Sequence, residues 1–256
     1  MTDRNLRIIP RLDVKQGTLI KAVQMEGWRK VGDPVEFAKQ YSEAGADEMI
    51  FMDVVASLYG RNGLHKVVEQ VASEVFVPLT VGGGVRTVSD VASLLRRGAD
   101  KITLNTAAID RPKLISEIAD AYGSQAIVVC IEAIERESGR FEALTDNGRN
   151  LTGLDAHDWA EKAAALGAGE LMITSINRDG RGDGYELGLL SEIARRVSVP
   201  VIASGGLGTA THLSDLVANT SVSAACVAQA LHWKKLDMAE LRAAAVESGC
   251  FIRDLS

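Results

Sequence analysis

A repeat of about 120 residues constrains this chain more than any other feature. RLDV and CIEA set Asp13 and Glu132 in step, FMDVVAS and ITSINRD set Asp53 and Thr174 in step, and VGGGVRT and ASGGLGT do the same for Gly84 and Gly206. Short β-branched runs recur through both copies, at 7–14, 48–54, 78–84, 101–106, 126–133, 170–176, 200–206 and 223–229. Longer Ala/Leu/Glu/Lys stretches alternate with them, at 34–45, 88–98, 111–123 and 155–167, and several end in the glycine that helix C-caps favour. The strand runs are apolar without strict alternation, as in a parallel sheet covered on both faces. Eight such units in 256 residues predict a single (β/α)8 TIM barrel, built as half-barrels over approximately 1–123 and 124–256. A doubly wound eight-stranded sheet is the main alternative, and the repeat favours the barrel.

Composition excludes several other classes. Lys and Arg number 28 against 34 Asp and Glu, so the net charge of −6 argues against a nucleic-acid binder. Cys130, Cys226 and Cys250 are odd in number and widely spaced, which suits a reducing compartment and forms no zinc pattern. The start, MTDRNLRIIP, turns charged where a secretory signal is apolar, and no apolar run reaches membrane-spanning length. A cytoplasmic protein with no membrane contact is expected.

In a barrel of this kind the chemistry sits at the C-terminal strand ends. The first and fifth strands end in Asp13 and Glu132, on opposite sides of the mouth. Two facing carboxylates suit general acid and base work, provided that their surroundings separate their proton affinities. The ordinary alternative for either acid alone is a turn cap or a surface ion pair. Gly82–Gly84 and Ser204–Gly206, including Gly205, follow the third and seventh strands. Asn105–Thr106 and Ala228–Gln229 follow the fourth and eighth. These small and polar strand ends predict two anion cradles across the mouth, and so a ligand with a phosphate at each end. Thr174 and Asp179 lie in a polar segment suited to hydroxyls or water. Lys15, Lys21, Arg29 and Lys30 lie in a long glycine-containing loop that reads either as a lid or as solvated surface. His65, His157, His212 and His232 show no ligand spacing, so they read as structural and no metal or other cofactor is expected. At the opposite face, Arg7, Glu48, Lys101 and Glu170 start the first, second, fourth and sixth strands. The simplest reading is a salt-bridge plug, although buried ion pairs are poor stabilisers.

The segments LDVKQGTLIKA, GDPVEFAKQYSEAGADE, TVGGGVRT, GADKITLNTAA, TSINRDG and VIASGGLG together resemble the cyclase subunits of imidazole glycerol phosphate synthase, a family of histidine biosynthesis. The resemblance spans essentially the whole chain. It implies a cyclase that takes ammonia from a separate glutaminase subunit, docked on the barrel bottom, and uses it on a bis-phosphorylated ribotide. It also implies that Asp13 is the catalytic aspartate of the first strand. Gly84, Asn105 and Thr106 would hold one phosphate; Gly206, Ala228 and Gln229 would hold the other. Lys21 corresponds to the lysine of the family's mobile loop, and Arg7, Glu48, Lys101 and Glu170 to its charged ammonia gate.

Two positions depart from the family pattern. Glu132 stands where the family has aspartate, and Arg11 where it usually has cysteine. Residues 7, 9, 11 and 13 share one strand face, so Arg11 is expected to point into the barrel and to pair with Asp13 or Glu132. The same departures fit paralogous barrels that work with their own glutaminases in amidation of cell-surface sugars. The sibling isomerase needs no ammonia gate, and a scaffold without catalysis needs no phosphate cradles.

Overall fold

The computed structural model describes residues 4–56, 65–137 and 139–254. Eight strands form its centre: β2 (Arg7–Lys15), β5 (Met49–Asp53), β6 (Leu79–Gly82), β7 (Lys101–Leu104), β8 (Ile127–Glu137), β11 (Glu170–Ser175), β12 (Val201–Ser204) and β13 (Ala224–Val227). Each pairs in parallel with the next, and β13 pairs back onto β2, which closes the sheet into a (β/α)8 barrel. Strand parity sorts the side chains into two cores. Ile8, Leu12 and Val14 of β2 pack outward with Phe51, Val81, Ile102 and Val129 against the helices. Ile9 packs inward with Ile50, Val128, Cys130, Met172, Ile202, Ala224 and Cys226. The apolar strand runs therefore reflect burial on both faces.

The helix layer comprises α1 (Pro34–Glu43), α2 (His65–Glu74), α3 (Val88–Leu95), α4 (Thr106–Asp110), α5 (Lys113–Tyr122), α6 (Ala156–Ala165), α7 (Leu187–Arg196), α8 (Ala210–Asn219), α9 (Gln229–His232) and α10 (Met238–Glu247). Local sequence starts them. Asp33 accepts from the amides of Val35 and Glu36 ahead of Pro34, and Thr87 forms a reciprocal capping box with Asp90. No helix among the described residues is long and apolar enough to cross a membrane.

Four features differ from the sequence expectation. The long loop after β2 is an antiparallel ribbon, β3 (Thr18–Val23) and β4 (Glu26–Gly32), that extends β2 above the mouth. A second ribbon, β9 (Arg140–Thr145) and β10 (Asn150–Asp155), extends β8 in the same way. The Asn147–Gly148 pair at its tip is a hairpin signal that strand counting overlooked. Below the barrel, β1 (Arg4–Asn5) pairs in parallel with β14 (Cys250–Phe251) and joins the two ends of the described chain. The strands after which the glycines lie are also shorter than expected, because Gly83, Gly84, Gly205 and Gly206 leave the sheet with positive φ.

Candidate active site

Asp13 and Glu132 sit near the upper ends of β2 and β8, which stand four strands apart in either direction round the barrel. Both are buried. Their surroundings are opposite in kind. Asp13 Oδ1 accepts from Arg11 Nε at 2.8 Å, while Lys21 Nζ lies 3.8 Å from Asp13 Oδ2. Burial would raise this carboxyl, but Arg11 and Lys21 outweigh it and hold Asp13 below the ordinary carboxylate range. Glu132 forms no ion pair among the described residues; its Oε2 accepts from the Gly148 amide at 2.8 Å. Burial pushes Glu132 up to about 7 against the pull of Arg11 and of that amide, and the charges of Asp13 and Asp179 add to the rise.

Arg11 thus points inward, as its parity demands, and bonds Asp13. Its Nη1 also approaches Thr174 Oγ1 at 3.4 Å. Lys21, on β3, is buried and bonds both carboxylate oxygens of Asp179 at 3.0 and 3.1 Å. Arg11, Asp13, Lys21 and Asp179 therefore form a chain of alternating charge from the barrel axis to the loop after β11. His232 braces it from behind. The Arg11 carbonyl can only accept, so the 3.1 Å contact gives His232 Nε2 the proton and leaves Nδ1 to accept from the Tyr41 hydroxyl at 2.7 Å. Burial, with Lys21 nearby, depresses His232 to about 4 and keeps it neutral. That fits the structural reading of this histidine.

The glycine turns stand where the sequence located them. Gly84, Asn105 and Thr106 line a cavity of about 430 Å³ that also reaches Arg86, Glu132 and Asn147. Gly205, Gly206, Ala228 and Gln229 line a much smaller space of about 20 Å³, shared with Arg11, Lys21 and Asp179. A side chain at Gly83 would strike the carbonyl of Asp53, and one at Gly205 would lie 2.8 Å from that of Ser175, so both turns require glycine sterically as well as by φ. Asn105 Oδ1 is buried beside the larger cavity without a hydrogen-bond partner among the described residues.

The ribbon β3–β4 accounts for the smaller space. Its Gln24 amide donates to the Asp179 carbonyl at 2.8 Å, and Gln24 Nε2 donates to the Asn177 carbonyl at 3.2 Å. Met25 packs with Leu144 and Ile176. Sequence reasoning missed Met25, Tyr41, Asp146, Asn147 and Gly148, because their roles arise where two ribbons and a helix converge. Of these, the Asn–Gly turn signal alone was visible in advance.

At the other end, Arg7, Glu48, Lys101 and Glu170 close into a ring. Arg7 bonds Glu48 at 2.7 Å and also bonds Glu170, while Lys101 bonds Glu48 at 3.0 Å and Glu170 at 3.1 Å. The inner apolar layer of Ile9, Ile50, Val128, Met172, Ile202 and Ala224 lies between this ring and the charges of the mouth. No group of three or more His, Cys, Asp or Glu residues among those described is arranged to hold a metal ion. A family model described as histidine biosynthesis protein matches residues 7–237.

Proposed function

Because the chain belongs to the histidine biosynthesis protein family, we propose that it is that family's ammonia-using cyclase, a lyase acting with a separate glutaminase subunit. In this reading it converts the bis-phosphorylated phosphoribulosyl-formimino-aminoimidazole carboxamide ribotide into imidazole glycerol phosphate and aminoimidazole carboxamide ribotide. The observation that carries the reading is the pair of glycine-turn cradles on opposite sides of the mouth, with two unlike carboxyls between them. Backbone amides at Gly84, Asn105 and Thr106 and at Gly206, Ala228 and Gln229 take the two phosphates. Asp13 and Glu132 carry the acid and base chemistry, and Thr174 and Asp179 bind the middle of the substrate.

The ring at the barrel bottom supports ammonia intake. Each of its carboxylates meets two cations, so passage requires one arm to swing out while the others stay paired. The glutaminase docks on this face. The test is turnover of the ribotide with ammonium salt in place of the glutaminase. Turnover in the native protein, strongly reduced in Asp13→Asn and Glu132→Gln, supports the reading; an inactive native protein overturns it.

Arg11 favours a second reading. A guanidinium in the mouth narrows the second cradle and suits a paralogous synthase that keeps the glutaminase but aminates another acceptor, such as a cell-surface sugar. That reading requires an inactive native protein that still binds a glutaminase tightly.

A further inference from the structure

We infer that Arg11 is a positioning residue: bonding Asp13 from inside the barrel, it fixes Asp13 as a standing carboxylate and leaves Glu132 as the proton carrier of the site. The inference deepens the proposed reaction and rests on it for any statement about turnover. Its physical core concerns the protein alone.

Three observations carry it. Both oxygens of Asp13 face cations, with Arg11 Nε at 2.8 Å and Lys21 Nζ at 3.8 Å, and all three side chains are buried. Protonating Asp13 would strand the buried Arg11 cation, which is as unfavourable as breaking a buried pair. Glu132 has no such partner among the described residues. One of its oxygens holds the Gly148 amide, and the carboxyl opens on the larger cavity. Finally, the remaining ionisable groups that face this centre are committed or silent. Lys21 is held by Asp179 on the loop after β11. His232 of α9 uses both ring nitrogens, on Tyr41 and on the Arg11 carbonyl. Burial pushes the thiols of Cys130 on β8 and Cys226 on β13 up to about 12 and about 11, so both stay protonated. Asp53 of β5 and Asp146 of the β9–β10 turn line the same cavity as Glu132.

Parity explains why position 11 suits this role. Arg11 and Asp13 are two residues apart on one strand, so their side chains stand on the same inner face and meet with little rearrangement. An uncharged residue at position 11 would leave Asp13 with the longer contact to Lys21, which Asp179 already shares. Asp13 would then titrate closer to Glu132, and the two carboxyls would compete for the same proton.

The experiment is carbon-13 NMR of carboxyl-labelled full-length protein without substrate, with pH–rate profiles run in parallel. In the native protein, Glu132 is expected to titrate near neutrality while Asp13 stays ionised throughout the acidic range in which the fold persists. Arg11→Met should bring Asp13 into that range and lower kcat by about tenfold or more. Arg11→Lys, which keeps the charge, should restore the native titration at least in part. Near-neutral titration of Asp13 in the native protein, or native Asp13 behaviour in Arg11→Met, would overturn the inference. Should Arg11→Met fail to fold, the native and Arg11→Lys titrations still decide. A native protein that shows the expected titrations but no turnover sinks the cyclase reading and leaves the inference standing.

Discussion

Around Gly83–Gly84 and around Gly205–Gly206 the chain follows nearly the same path. Thr87 and Thr209, which precede the helices after these turns, share φ −139° and ψ 160°. Asn105 and Ala228, at the neighbouring strand ends, adopt φ −132°, ψ −88° and φ −130°, ψ −77°. Yet one turn opens on about 430 Å³ and the other on about 20 Å³. The difference lies in what covers them. On the small side, β3–β4 is docked over the mouth, Lys21 bridges to Asp179, and Arg11 enters from below. On the large side, β9–β10 contributes its tip, with Asp146 and Asn147, to the wall and leaves the space open. In the proposed reading, matched backbone sets where an anion binds, and the unmatched ribbons and charges set how easily it gets there. The covered side holds paired charges; the open side holds the carboxyl of Glu132, which has no ion pair among the described residues.

The sharpest way to break this comparison is at Glu132. Glu132→Gln should lower kcat about 10²–10⁴-fold, the range for a lost general acid or base. A loss under tenfold, read in steady-state assays with ammonium salt, would move proton transfer elsewhere. Asp13→Asn should do more to the fold. It strands Arg11, so urea denaturation should register a loss of about 3–5 kcal/mol, while Glu132→Gln loses little at neutral pH.

The pH dependence separates the two sides further. The Glu132 carboxyl is raised from 4.5 to about 7, so the folded protein holds that proton more tightly than the unfolded chain. Its contribution is complete below 4.5 and is lost as pH rises through about 7, a change of about 3 kcal/mol. Asp13 is lowered, so its contribution is present above 3.8 and is lost as pH falls through its lower folded value. Native stability should therefore decline between those limits of Glu132, and Glu132→Gln should flatten that decline. An equal slope in both proteins would contradict the assignment.

Smaller effects test the cover and the frame. Asp179→Asn removes the charge that holds Lys21 across the mouth, at an expected cost of about 1.5–3 kcal/mol, what a hydrogen bond to a charged group is worth. Amide exchange on β3–β4 should quicken in that variant; unchanged protection would mean that the ribbon is held by Met25 and Gln24 alone. The helix caps provide the mildest contrast. Thr87 bonds the Asp90 amide, whereas Thr209 makes no side-chain cap bond at the same dihedrals. Thr87→Ala should lose about 1 kcal/mol and Thr209→Ala close to nothing.

Much of this was legible in the chain. The repeat, the strand runs and the glycine turns give the barrel, because each follows from local periodicity and from steric demands at single residues. The inward direction of Arg11 follows from parity with Asp13. The ribbons were hidden: Thr18–Val23 shows no alternation, since Leu19, Ile20, Lys21 and Ala22 are buried in succession, on both of its faces. The inequality of the cradles was hidden as well. It depends on Lys21 meeting Asp179 from 158 residues away, a contact that no local pattern encodes.

The central claim is that both cradles hold phosphates of one ligand across Asp13 and Glu132. Phosphorus-31 NMR of the native protein with the bis-phosphorylated ribotide tests it most directly. The account predicts that both phosphate signals shift and broaden together at a single stoichiometry, with β3–β4 amides responding to the second phosphate. One perturbed phosphate, with the other free in solution at saturation, would contradict it.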